Sequence, residues 1–374
     1  MSPQSSIQVD SFHIESHASL LHRPSGAELP SRALDAIVVP TIRPDSLQPA
    51  IDLAREIGCE LVVLCTTEEQ ARQALSLERA SSIFVSYVPP AIGDSQLNFL
   101  TSVHQGIKSE TSCHVDIARK RNIGLLLARI CGWHTVMYLD DDIRNLTASA
   151  VTSAAALIGR FRAVGFQIDC YPDNSVVCHA HRLAGASQSV FPGGSALLVD
   201  VPRCDSFFPP IYNEDWLFLF EAVQNGLLTV AGKLAQLDYL PFRHPERAAS
   251  EEFGDLIAEG IYRLIHERAS VTDATADYWR AALGRRARLI DDIAARLLHM
   301  DGSQLVIGSA LTSLAAARER LEAITPRTCV SFIRAWHSDQ ATWRERLPNL
   351  PMLGGVRDAA KFLDLPIIDA QVTR

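Results

Sequence analysis

The 374 residues suffice for one large α/β unit with an appendage, and 47% hydrophobic with 21% charged residues is a globular composition that excludes a largely disordered chain. A formal charge of -8, without clustered Lys and Arg, excludes a general electrostatic grip on nucleic acid or an anionic membrane, so a phosphate-bearing ligand would need local neutralisation. The eight cysteines are scattered with no CxxC pair and read as reduced, mostly buried thiols. No basic start with an apolar run, and no stretch long enough to span a bilayer, is present, so a cytoplasmic location without a membrane span is expected.

Residues 1–34 are rich in Ser, His and Pro and lack periodicity, which predicts an arm. At Asp35 the pattern changes to the apolar strand 36–39, then Pro40 and a loop, a helix over 45–57, strands over 61–65 and 83–88, and an amphipathic helix over 116–131. Asp45 and Thr67 stand where helix N-caps belong. Strand 135–139 ends in Asp140-Asp141-Asp142, a small-residue helix follows over 148–157, and strand 196–199 precedes a helix opened by Asn213-Glu214-Asp215-Trp216. Beyond 251 the pattern is helical, over 253–266, 272–298, 308–324 and 328–343. Three parts follow: the arm 1–34, an α/β domain 35–250 with helices flanking a sheet, and a helical C-terminal region 251–374 that caps an acceptor site or forms a homodimer interface.

Three carboxylates at a strand end repel one another, and a cation offsets that cost. Mg²⁺ or Mn²⁺ takes carboxylate oxygens and keeps positions open for a diphosphate. Alternation in an extended segment lets Asp140 and Asp142 point together. The alternative is a solvated acidic turn. Glu214 and Asp215 are read either as a helix cap or as a general base for an acceptor hydroxyl. Gly193-Gly194 allows a close backbone approach or an ordinary turn. Arg121 and Asn122 lie on a basic helix that either meets a diphosphate or is a solvated face. His244 is a candidate imidazole ligand beside Asp142, or a loop histidine. His179 and His181 have the spacing of one strand face, with no adjacent carboxylate.

In order, Ile37-Val38-Val39-Pro40-Thr41 with Arg43-Pro44, Arg121-Asn122-Ile123-Gly124, Leu139-Asp140-Asp141-Asp142, Gly193-Gly194-Ser195 and Asn213-Glu214-Asp215-Trp216 resemble the landmarks of GT-A glycosyltransferases similar to family 2, over about residues 35–245. The resemblance implies a Rossmann-like mixed sheet and a metal-dependent, inverting hexosyltransferase acting on a UDP- or GDP-sugar and a small-molecule acceptor. It implies that Pro40, Thr41 and Arg43 lie by base and ribose, Arg121 and Asn122 by base or diphosphate, and Asp140 and Asp141 by the donor. Asp142, assisted by Asp140 and His244, would hold Mg²⁺ or Mn²⁺. Gly193 and Gly194 would give room for sugar and acceptor, Asp215 would be the base, and Glu214 would shape the acceptor side. The third aspartate and the histidine depart from the family pattern and leave inversion or retention open. A nucleotidyltransferase of related fold lacks its Gly-rich opening loop here, and a nucleotide-sugar-binding protein without turnover is the other reading.

Overall fold

Short apolar runs alternating with helix-forming stretches build an α/β protein around one mixed sheet of eight strands. The computed structural model describes residues 13–22, 32–77, 83–104, 112–169 and 175–368. In chain order the regular elements are β1 (Ala36–Thr41), α1 (Gln48–Ile57), β2 (Glu60–Cys65), α2 (Glu68–Ser76), β3 (Ile83–Tyr87), α3 (Pro90–Leu97), α4 (Ser112–Cys131), β4 (Thr135–Leu139), β5 (Ile143–Arg144) and α5 (Ala148–Ala155). They continue with β6 (Ala163–Ile168), α6 (Val176–Leu183), β7 (Ala196–Asp200), α7 (Glu214–Gln224), β8 (Leu228–Gln236), α8 (Pro245–His266), α9 (Ala276–Leu298), α10 (Gln304–Ala323), α11 (Pro326–Arg346) and α12 (Val356–Phe362).

Two compact units interleave along the chain, one built from Ala18–Asp173, Val190–Tyr239 and Ser331–Arg374, the other from Met1–His17, Asn174–Ser189 and Leu240–Val330. The first holds the sheet, in the order β3-β2-β1-β4-β7-β6-β8-β5. β1 pairs in parallel with β2 and β4, and β2 with β3; β7 is antiparallel to both β4 and β6. β1, β4 and β7 are buried along their whole length, as strands covered on both faces must be. The chain runs outward from β1 to β3 and then returns to place β4 on the other side of β1, so the strand order reverses between β1 and β4. Ligands of open α/β sheets gather at such a reversal, beyond the carboxyl ends of the strands.

α4 differs from the amphipathic helix expected. From Lys120 to Ala128 every residue is buried, so this stretch of the helix is enclosed on all sides and Lys120 and Arg121 are interior. A Cβ at Gly124 would lie 2.8 Å from Val38 Cγ1, which is why glycine stands where α4 crosses β1. In the same unit, Asp339 of α11 accepts the Leu100 and Thr101 amides at 2.7 and 2.8 Å, and Trp343 packs on Phe99 and Phe207. After α12, Ile367 bridges Ser86, and the Ile368 amide donates to Val85 O at 3.2 Å, covering β3 at the sheet edge.

The second unit is helical, built from α6, α8, α9 and α10 with residues 13–17. Arg286 of α9 is buried and bonds both oxygens of Glu252 at 2.8 Å and Asp255 at 2.7 Å, all on α8. Gly260 admits the Trp279 ring, whose Cζ3 would stand 2.5 Å from an added Cβ.

Several local expectations are corrected. α1 starts at Gln48 after a 3-10 turn, with Leu47 at its cap; Asp45 instead accepts Gln73 Nε2 at 2.6 Å. Thr67 does cap α2, in a capping box with Gln70. His179 and His181 lie on α6, where residues two apart point in different directions. The arm expected over 1–34, flexible or draping on the body, is packed where described: the His22 amide donates to Leu228 O at 3.2 Å, and His17 is buried. The seven described cysteines are free, with Cys65, Cys178, Cys204 and Cys329 buried. Among the described residues no helix is long and apolar enough to cross a membrane.

Candidate functional site

The loops after β1 and β4, the turn before β7 and the first turn of α7 meet at the carboxyl ends of β1 and β4. β4 and β7 stay paired one step past the strand, Asp140 N donating to Ser195 O at 2.8 Å, so the aspartates and Gly193-Gly194 are cross-strand neighbours. Asn213 stands at the N-cap of α7, and its φ of 59° is the left-handed conformation asparagine tolerates. That turn aims Glu214 and Asp215 in different directions.

Asp141 is buried and accepts Thr41 Oγ1 at 2.6 Å and the Arg43 guanidinium. Arg43 Nη2 also reaches Asp142 Oδ2 at 3.0 Å. Asp142 Oδ2 further accepts Gln236 Nε2 at 3.3 Å, from the end of β8 where Gln236 pairs with Ile143. Thr41 Oγ1 takes the Arg43 amide at 2.9 Å and so fixes the loop from which Arg43 reaches out.

Asp140 faces elsewhere, held by Arg121 Nη2 at 2.8 and 3.0 Å to its two oxygens. Arg121 Nη1 donates to Glu214, and Tyr138 OH fixes the Arg121 carbonyl at 2.9 Å. Arg121 and Glu214 are 2% and 6% exposed and the Asp140 side chain 20%, so one buried guanidinium serves one buried and one half-buried carboxylate. Burial pushes Glu214 up to about 8, opposed by Arg121, and pushes Asp140 up to about 7 against the same cation. Burial would lower the Arg121 pKa; Asp140, Glu214 and Asp215 outweigh it and keep the side chain charged. Both carboxyls therefore hold a proton to higher pH than free acids do, and they titrate as a coupled pair.

Asp215 Oδ2 accepts the Gly194 amide at 2.6 Å and Oδ1 the Trp216 amide at 2.8 Å. A Cβ on Gly193 would collide with Asp215 Oδ2, and one on Gly194 with the Arg121 guanidinium. The two glycines thus admit the protein's own charged side chains.

Thr41, Arg43, Arg121, Asp140, Asp141, Asp142, Gly193, Gly194, Glu214 and Asp215 are brought together. Asn122 is turned away: its amide donates to Phe208 O at 2.7 Å and accepts Phe208 N at 2.8 Å, both groups spent on one backbone. Pro40 is buried within β1, in register with Leu64. His244 belongs to the helical unit, where its exposed ring pairs with Glu246 at 3.2 Å.

Two residues of this region escape sequence reasoning. Gln236 ends a strand with no motif. Lys120, 2% exposed, reaches Asp116 at 2.6 Å, Thr66 Oγ1 at 2.7 Å and Thr41 O at 2.9 Å, tying the ends of β1 and β2 to α4. Lys120 stands between Arg119 and Arg121, and nothing in that basic run singles it out.

Among the described residues no group of three or more His, Cys, Asp and Glu is arranged to hold a metal. Two buried oxygens, Asp142 Oδ1 and Gln236 Oε1, have no hydrogen-bond partner among them. A carboxylate and an amide oxygen suit a hard divalent cation that takes its remaining ligands from phosphate and water, so the donor set fits Mg²⁺ or Mn²⁺ through few protein ligands. Compared with known proteins, the chain matches no family model, and no curated protein matches it.

Proposed function

We propose that this protein is a GT-A glycosyltransferase that moves a sugar from a UDP- or GDP-sugar to the hydroxyl of a small acceptor by direct displacement. The observation that carries this reading is the gathering of three aspartates, Arg121 and the Glu214-Asp215 helix start at the reversal of strand order. Asp142 and Gln236 would hold Mg²⁺ or Mn²⁺, which when bound neutralises charge on the departing diphosphate. Thr41 lies on the side for the nucleoside, and Arg43 at the border of nucleoside and diphosphate. Asp215 receives the acceptor proton as that oxygen bonds to the anomeric carbon and the bond to the diphosphate oxygen breaks. Glu214 and Arg121 hold Asp140 beside the donor.

One observation favours a binding protein without turnover: Arg43 and Arg121 already pair with all three aspartates. Calorimetry with UDP, GDP, ADP and dTDP, each with and without Mn²⁺, on wild type, Asp142→Ala and Asp215→Asn separates the two. Metal-dependent binding of one nucleotide, lost in Asp142→Ala and kept in Asp215→Asn while transfer disappears, supports the enzyme. Binding with no transfer to a broad acceptor panel supports the binding protein, and silence toward every nucleotide removes both.

A further inference from the structure

Arg43 and Arg121 neutralise neighbouring aspartates in opposite ways. The Arg121 side chain is 3% exposed and pinned between Asp140 and Glu214. The Arg43 side chain is 49% exposed, whereas its partners Asp141 and Asp142 are 5% and 15% exposed. Its backbone is fixed by the bond to Thr41 Oγ1, so the long side chain alone can leave. If it leaves, Asp141 keeps Thr41 Oγ1 and Asp142 keeps only the neutral Gln236 amide. Asp142 then needs another cation, and neither its Oδ1 nor the Oε1 of that same glutamine has a hydrogen-bond partner among the described residues.

We propose that Arg43 is a placeholder cation, occupying Asp141 and Asp142 until a divalent ion and a diphosphate arrive together, and then transferring its guanidinium to the diphosphate. This rests on the metal-dependent donor reading above and adds an exchange to it. A metal ion alone must displace a charge-assisted pair and binds weakly. With a diphosphate the displaced guanidinium gains bidentate phosphate contacts, so metal and diphosphate bind cooperatively.

The test titrates the full chain with Mn²⁺ alone, read by the resonance signal of free Mn²⁺, and then with pyrophosphate at saturating Mn²⁺, read by calorimetry, for wild type, Arg43→Ala, Arg43→Gln and Asp142→Ala. The two Arg43 variants should bind Mn²⁺ about tenfold tighter than wild type and pyrophosphate about tenfold weaker, the loss expected for one charge-assisted interaction. Opposite signs for the two ligands distinguish exchange from a site merely loosened. Equal Mn²⁺ affinity in wild type and both Arg43 variants, lost in Asp142→Ala, overturns the exchange and leaves the metal reading standing. No Mn²⁺ uptake by any of the proteins, with or without pyrophosphate, overturns both.

Discussion

Replacing Glu214 by Gln isolates the buried proton of the Glu214–Arg121–Asp140 trio. Glu214 has a folded pKa of about 8 against 4.5 for the free group, raised by burial in spite of Arg121. Between those values the native state binds a proton that the unfolded chain has released, so stability falls as pH rises through the window. One proton corresponds to a slope of about 1.4 kcal/mol per pH unit. Asp140 is displaced in the same direction, toward about 7, but shares the guanidinium, so the pair is counted as about one proton. From about pH 5.5 to about pH 7 the wild type should therefore lose roughly 2 kcal/mol relative to Glu214→Gln, whose amide keeps an acceptor for Arg121 and leaves that cation to Asp140 alone. Urea titrations across this range, followed by tryptophan fluorescence and by hydrogen exchange of the α7 amides, measure the difference. Parallel stability profiles for the two proteins would refute the raised Glu214 pKa.

Lys120→Met should cost about 3 to 5 kcal/mol, because Asp116, 8% exposed, would keep only its Thr66 bond; Asp116→Asn in the same chain should recover part of the loss. A melting temperature unchanged in Lys120→Met would show that the lysine is not buried with its partner. In the helical unit, Gly260→Ala should cost about 1 to 3 kcal/mol by driving a methyl into Trp279, and Gly260→Ala with Trp279→Leu should be more stable than the two single costs added together. Additive costs would mean that the two do not touch.

Much of the sheet was legible because its central strands are short apolar runs with clear ends. Thr135–Leu139 agrees with its reading residue for residue, and β1, β2 and β7 begin or end within a residue or two of theirs. β6 and β8 were missed. β6 is interrupted by Gly165, which is needed because Pro192 lies 2.7 Å from where its Cβ would be, and β8 carries Gly232 and Lys233 on half-covered ground. They owe their place to pairing with each other, and with β7 for β6 and β5 for β8, across long stretches of chain that no local pattern encodes. In the site, the acids announce themselves, since Asp140-Asp141-Asp142 follows a strand and Glu214-Asp215 opens a helix. Their partners do not. The choice of Arg121 for Asp140 and Glu214, of Arg43 for Asp141 and Asp142, and of Phe208 for Asn122 is made by elements up to a hundred residues apart.

The bridge from Ile367 to Ser86 bears on how the chain is made. The ribosome releases β3 long before its last neighbour, and α6, α8, α9 and α10 all lie between them in the order of synthesis. Through that interval one margin of the nascent sheet has open amides and carbonyls, the condition in which strands join the wrong partner. Shortening the chain from its far end would thus be felt first as aggregation during expression, while the aspartates that follow β4 remained in the sequence.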